Sequence, residues 1–443
     1  MTREWPRTFA QGGAIKDFVL GIVFALLEAA GGLAYRLLGY ADAQGRCGSL
    51  ALRNGQHAQG DTRIRGQRRD GMRWRWVPWL AAAVLAMAGA VSTSAQDLVE
   101  SELRIPMKEA GKKGLEATMV RPNDGVAHPL ALLAHGTPRE PNDREGMTPW
   151  SLLPQAREFA RRGWTTVIVI RRGYGDSGGG YREEANACSP RVDYYDSGRE
   201  SAKDLRSAIA YLSTRPEVDA SRIISVGISA GGFATVALTA EPPPGLVAAI
   251  SFAGGRGSKR PDEVCNVDEL VRTFGDFGKK SRVPMLWVYA ENDHFFGPQI
   301  ATRFYQAFTA TGGKAILVRA AAFRKDGHGL FSLGGIPIWT PMVDNFLTHQ
   351  NLQLRSSLLA LPTPAAVAAP SQLSPEASAE FRSFLTLPAH KAFAVSGGGH
   401  YGYVFGRRTE KEASKLAEER CRESAEKADP CSVVMLDERK GGT

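Results

Sequence analysis

A serine enclosed by glycines, Gly227-Ile228-Ser229-Ala230-Gly231, stands between a β-branched run (Arg222 to Ile228) and a stretch of small residues (Ala230 to Ala240). A chain that passes from a buried strand straight into a helix must turn within one or two residues. Only small neighbours fit such a turn, and a hydroxyl at its apex projects above the sheet, at the N-terminus of the helix. The bland alternative is a glycine-rich turn that holds a serine of no chemical consequence.

Around that turn the chain alternates. Leu115 to Arg121 and Pro129 to Ala134 read as strands, and Thr165 to Ile170 is a continuous apolar run of the kind buried on both faces. Pro149 to Gly163 sets Leu152, Leu153, Ala156, Phe159 and Ala160 at helical spacing, and Glu200 to Leu212 is helical again. Val247 to Phe252, Pro284 to Ala290 and Ala315 to Arg319 complete the strand set. Strands separated by helices predict an α/β domain with a doubly wound, mainly parallel sheet over residues 96–356.

A serine hydroxyl is a weak nucleophile unless a base stands beside it. Asp293, in Glu291-Asn292-Asp293-His294, follows the strand that ends at Ala290, and His328, in Asp326-Gly327-His328-Gly329, follows the strand that ends at Arg319. Both therefore leave the carboxyl ends of strands, where active-site loops converge. The order Ser229, Asp293, His328 suits a nucleophile, an orienting acid and a base. Glu291 and Asp326 stand as rival acids and His294 as a rival base, whereas His349, His390 and His400 lack a matching context. His135-Gly136-Thr137-Pro138 ends an early strand, so the backbone N–H of Thr137, with that of Ala230, is the expected pair of oxyanion donors. His135, Gly136 and Tyr174 are the candidates for the substrate pocket. The glycine-rich run Arg171 to Gly178 lacks the Lys-Ser/Thr ending of a phosphate loop and reads as part of the rim. Gly254 to Ser281 is charged rather than apolar; it is expected to help shape the pocket and argues against long-chain lipid.

Taken in order, His135-Gly136, Arg172-Gly173-Tyr174-Gly175-Asp176-Ser177, Gly227-Ile228-Ser229-Ala230-Gly231-Gly232, Glu291-Asn292-Asp293 and Asp326-Gly327-His328-Gly329 resemble the α/β-hydrolase superfamily. The chain looks like a dienelactone-hydrolase-like or prolyl-oligopeptidase-like member of it, over about Leu98 to Leu352. The resemblance implies a serine hydrolase that cleaves a carboxylic ester through an acyl-enzyme, without metal or organic cofactor. Dienelactone hydrolases carry cysteine at the elbow, where this chain has Ser229. An aminopeptidase or other amidase acting on a short peptide, or an acyltransferase, would use the same residues. A non-catalytic binding protein, with its function in a C-terminal module, is the rival from another class.

Upstream, Arg73 and Arg75, the uncharged run Val77 to Val91 and the small residues Ser92-Thr93-Ser94-Ala95 read as a signal peptide over 72–95. A run of that length falls short of a bilayer span. It predicts a secreted or periplasmic protein with no stable membrane span in its mature chain, and places residues 1–71 ahead of the true start. The formal charge is +9, but residues 1–95 carry +6 of it, and so balanced a remainder predicts no nucleic-acid partner. Downstream, prolines at 362, 364, 370 and 375 mark an Ala/Pro/Ser linker over 357–378. A small α+β module follows over 379–443, with strands at Lys391 to Ser396, Tyr401 to Phe405 and Ser432 to Leu436. Its helix opens on the capping pattern Thr409/Glu412. Cys47 lies ahead of the signal. Of the other four cysteines, Cys421 ends the helix and Cys431 begins the strand after it, which predicts bridges Cys421–Cys431 and Cys188–Cys265.

Overall fold

The computed structural model describes residues 97–363, 366–425 and 429–440; the proposed upstream extension, the signal segment and Cys47 lie outside them. Eight strands form the main sheet: β1 (Leu98–Ile105), β2 (Leu115–Pro122), β3 (His128–Ala134), β4 (Thr165–Val169), β5 (Val218–Ile228), β6 (Leu246–Phe252), β9 (Met285–Ala290) and β10 (Ala315–Ala320). Between β6 and β9 lies a short hairpin, β7 (Ser258–Arg260) and β8 (Glu263–Val264). The main order is β1-β2-β4-β3-β5-β6-β9-β10, antiparallel in the β1/β2 and β2/β4 pairs and parallel throughout the rest. This is the expected doubly wound sheet.

Alternation along each strand divides the core in two. Leu130, Leu132 and Ala134 face one side with Met285, Trp287 and Tyr289, whereas Ala131 and Leu133 face the other with Leu286, Val288 and Ala290. On the first side lie α2 (Tyr194–Leu212), α3 (Ala230–Ala240), α4 (Val267–Lys280) and α5 (Pro298–Ala310). On the second lie α1 (Leu153–Ala160) and α6 (Ile336–His349), through Phe159, Trp339 and Phe346. Burying both faces removes the central parallel strands from water, which is why they read as apolar runs, whereas the parallel edge strand β10 stays partly exposed.

Several elements differ from the sequence reading: the helix read from Glu200 begins at Tyr194, and the strand read from Arg222 begins at Val218. The Pro149 end of the first helix is a 3-10 turn, Pro149–Leu152, before α1 begins. β1 carries Glu100, Glu102 and Arg104 on a largely exposed edge, so no apolar run announced it.

The C-terminal part has its own antiparallel sheet, β12-β11-β13-β14, from β11 (Ala392–Ser396), β12 (Tyr401–Val404), β13 (Cys431–Leu436) and β14 (Arg439–Lys440). One face packs Ala392, Ala394 and Val404 on Ala413, Ala417 and Cys421 of α8 (Glu410–Ser424). The other packs Phe393 on Phe381 and Phe384 of α7 (Pro375–Phe384). The segment read as a linker does not stay apart from this core: Val367, Ala369 and Leu373 pack into it, and Ser374 caps α7. Their sparse apolar residues show no period, so composition alone suggested a tether. Among the described residues no helix is long and apolar enough to cross a membrane.

Candidate active site

β5 ends at Ile228, and α3 begins at Ala230, leaving Ser229 alone to turn the chain. It does so at φ 56° and ψ −123°, a conformation that costs a non-glycine residue on the order of 1–3 kcal/mol. The glycines of the motif are required by contact. A Cβ on Gly227 would meet the Gly231 carbonyl oxygen at 2.1 Å, and one on Gly231 would meet that of Ala134 at 2.2 Å. The strained turn is held by Ser229 N donating to Phe252 O at 2.9 Å and by Ser229 O accepting from Phe233 N, also at 2.9 Å. Ser229 Oγ has no hydrogen-bond partner within 3.5 Å among the described residues, and the residue opens on a cleft of about 170 Å³.

Asp293 follows β9 and is buried. Its Oδ1 accepts from the backbone N–H groups of Phe295 and Phe296 at 2.7 and 2.9 Å, which fixes the carboxylate's aim. His328 Nδ1 lies 3.2 Å from both carboxylate oxygens. A donating Nδ1–H leaves Nε2 as the lone-pair nitrogen, the form a base requires. Phe295 stacks on the imidazole with centroids 3.8 Å apart, and the Arg139 guanidinium covers the ring of Phe295 at 3.5 Å. Gly327 is needed here, since a Cβ would meet Ala290 Cβ and Asn292 Oδ1 at 2.5 Å.

The rival residues are elsewhere. Asp326 Oδ1 accepts from the backbone N–H of His328 and of His294, so that carboxylate shapes the turn instead of the imidazole. Glu291 is exposed. His294 Nδ1 pairs with Asp262 at 3.0 Å, which raises its pKa above the usual histidine range. His349 bonds the Asn345 carbonyl, and His390 faces Asp437 at 3.3 Å.

Thr137 and Ala230 line the cleft beside Ser229. Ala230 is the first residue of α3, so its N–H has no intrahelical partner. Thr137 Oγ1 donates to Tyr174 Oη at 2.6 Å, and Tyr174 Oη donates to Glu183 Oε2 at 2.9 Å, a chain that positions the Thr137 backbone. Gly136 lies against the serine, where a Cβ would come 3.1 Å from Ser229 Cβ. His135 and Tyr174, expected in the pocket, are instead buried behind its wall. Nδ1 of His135 donates to the Gly136 carbonyl at 2.6 Å, and Nε2 accepts from Arg171 N at 3.0 Å. Burial, reinforced by Arg171, pushes its pKa down to about 3, so it is neutral and structural.

The residues that do line the cleft include several that no motif announced: Arg139, Arg144, Tyr181, Glu183 and Arg256. Glu183 is buried between Arg171 and Arg256, with Arg256 Nη2 at 2.7 Å. Burial would raise its pKa, but the two guanidinium groups outweigh that and hold the carboxyl well below its usual range. The lone hint in sequence was the density of arginines near Gly-rich loops. The Gly254–Ser281 segment contributes Gly255 to Ser258 to the wall. Bridge Cys188–Cys265 (Cα–Cα 4.9 Å) joins that segment to the loop carrying Ala185 and Ala187, and Cys421–Cys431 (6.0 Å) joins α8 to β13, in the expected pairing.

Parts of the chain are similar to known proteins. A family model described as X-Pro dipeptidyl-peptidase (S15 family) matches residues 111–265. Acylamino-acid-releasing enzyme 1 of Oryza sativa subsp. japonica is 26% identical over 207 residues, covering 45% of this chain and 24% of that protein, so the match spans about a quarter of the relative's length. Among solved structures, a putative dienelactone hydrolase from Klebsiella pneumoniae subsp. pneumoniae is 17% identical with TM-score 0.40, covering 56% of this chain and 97% of its own. Thermogutta terrifontis esterase 2 gives 17% and 0.42, with 58% and 96% covered. The acylaminoacyl peptidase of Pyrococcus horikoshii gives 16% and 0.43, with 59% and 43% covered.

Proposed function

We propose that the chain is a serine hydrolase of the α/β-hydrolase type and that it cleaves a carboxylic ester through an acyl-enzyme on Ser229. The observation that carries the proposal is the convergence on one cleft of a serine held in a strained turn and of Thr137 and Ala230, with the Asp293–His328 pair packed on the cleft-lining Phe295. Ser229 Oγ attacks the carbonyl carbon while His328 Nε2 takes its proton. Negative charge then develops on the carbonyl oxygen, where the N–H groups of Thr137 and Ala230 stabilise it. One such donor is worth about 3–4 kcal/mol in related chemistry. The imidazolium returns the proton to the leaving alcohol, and a water activated by His328 releases the acid. Asp293 holds the ring in the productive tautomer and offsets its charge. Contacts between nucleophile and base are often long before substrate arrives, which suits an unbonded Ser229 Oγ.

The cleft is small and rimmed by arginine and glutamate, which favours a compact polar ester over long-chain lipid. A peptide or amide substrate is the second reading, favoured by the S15 match over 111–265 and by the similarity to an acylamino-acid-releasing enzyme. The disulfides favour a secreted or periplasmic protein. A screen of p-nitrophenyl esters of graded length beside aminoacyl anilides tests the proposal, with fluorophosphonate labelling of Ser229 as its companion. Ester turnover with Ser229 labelled is expected. Anilide turnover without ester turnover would make the protein an amidase, and no labelling at all would leave the binding-protein reading.

A further inference from the structure

We propose that the C-terminal module is a working part of the active-site wall: through Arg408 it holds the 144–148 segment, and with it Arg144, against the cleft. This rests on the hydrolase reading above, since it assigns a task to the same site.

The wall in question runs from Thr137 to Thr148. Thr137, Pro138, Arg139 and Arg144 line the cleft. At its start the segment is anchored by β3 and by the Thr137–Tyr174 hydrogen bond. At its far end the anchors belong to the module. Arg408 donates from both Nη atoms to the two oxygens of Glu116, at 2.7 and 2.6 Å, and its Nη2 also reaches the Met147 carbonyl. Thr148, which is buried, donates its hydroxyl to the Gly406 carbonyl. Between these anchors the one regular element is a 3-10 turn, Pro141–Arg144; the stretch is held besides by Arg139 donating to Ser258 Oγ at 3.0 Å and by the Arg144 carbonyl accepting from Gly175 N, so the module supplies its far anchors rather than all of them.

The same clamp reaches the next rim loop. Glu116 Oε2 accepts from Asp176 N at 2.9 Å, and Gly175 N donates to Arg144 O at 2.8 Å. A Cβ at Gly175 would meet Met147 O at 2.4 Å and Arg408 Nη2 at 2.6 Å, so glycine is what lets loop and module close on one point. Arg144 then projects its guanidinium over the ring of Tyr181 at 3.7 Å, and both residues face the cleft. Glu116 is itself buried on β2, so loss of Arg408 would leave a carboxylate with a single backbone N–H for a partner. A buried charge left in that state drives local rearrangement. Arg408 is thus a positioning residue: it touches no substrate and acts through residues 144–148.

The test uses the full chain. Arg408→Met is expected to raise KM for a short p-nitrophenyl ester roughly tenfold while kcat changes by less than about threefold, because it displaces a binding wall and not the reacting groups. Amide hydrogen exchange over residues 140–150 should quicken in the same variant. Arg157→Met serves as the control, since Arg157 binds the Thr386 carbonyl at another point where module and body meet. It should leave KM and the exchange of 140–150 as in wild type. If Arg408→Met fails to fold, Thr148→Val removes one anchor without stranding a charge and should show the same pattern more weakly. Unchanged KM and exchange in a folded Arg408 or Thr148 variant would overturn the proposal. So would an equal change in Arg157→Met, which would mean general loosening. If no ester is hydrolysed by wild type, the ester reading falls by itself, and hydrogen exchange still decides whether Arg408 holds the wall.

Discussion

The eight-stranded sheet buries both faces under several helices, whereas the four-stranded C-terminal sheet has one helix on each face, α8 on one and α7 with Phe381 and Phe384 on the other. Their disulfides differ in the same sense. Cys188–Cys265 closes a loop with sequence separation 77, and Cys421–Cys431 one of 10. In the chain-entropy view these restrict the unfolded chain by about 4.5 and about 2.7 kcal/mol, respectively. For the body, with its large core, the staple is an addition that also ties two stretches of the cleft rim. For the module, whose two small clusters are built of alanine, phenylalanine, leucine and valine side chains with Met435 and Cys421, a comparable amount is a large share of what holds it folded. The comparison teaches that the body can afford a strained serine, and that the module contributes through where it docks more than through chemistry of its own.

The sharpest way to break this division is to remove the nucleophile. Ser229→Ala should abolish turnover, with His328→Ala costing about as much, since the residues act as a unit; steady-state assays with matched circular dichroism check this. Residual activity near wild type in either variant would mean that the chemistry lies elsewhere. Asp293→Asn should lower kcat on the order of 10⁴-fold if it behaves like the analogous change in serine proteases. A larger loss in Asp326→Asn would transfer the acid role to the carboxylate that here caps a turn.

A smaller effect sharpens the other side. Cys421→Ala with Cys431→Ala should destabilise the module by about 2–3 kcal/mol and raise KM before it lowers kcat. Equilibrium unfolding with parallel kinetics tests that order; a fall in kcat at constant KM would contradict it. A further effect concerns pH. His135 titrates near pH 3 in the fold against 6.5 for an ordinary histidine, so between those values the unfolded chain binds the extra proton. Stability contributed by neutral His135 is present above pH 6.5 and lost as pH falls toward 3. The stability gap between wild type and His135→Asn should therefore narrow on acidification, by up to about 1.4 kcal/mol per pH unit. A gap independent of pH in denaturant titrations would show that His135 is not held neutral.

Much of the body was legible because its constraints are local or periodic. A strand that must be dry on both faces has to be an apolar run, and a turn in which Gly227 would strike Gly231 has to carry glycines. Asp293 and His328 were legible from their places after strand ends, and the pairing of four cysteines from the module's short Cys421–Cys431 spacing. β1 was not, because an exposed edge strand needs no apolar run. The misplacement of His135 and Tyr174 behind the wall has a related cause: a residue's neighbours in sequence say that it follows a strand, not which way its side chain turns.

The amino-acid order by itself determined the sheet, the serine's turn and the candidates for acid and base, because steric exclusion and hydrophobic period act over a few residues. The tertiary structure alone decided which carboxylate meets the imidazole, which arginines face the cleft, and that Arg408 grips Glu116 across 292 residues of chain. Those choices depend on the relative placement of distant loops, and charge pairing between them leaves no periodic trace in the sequence.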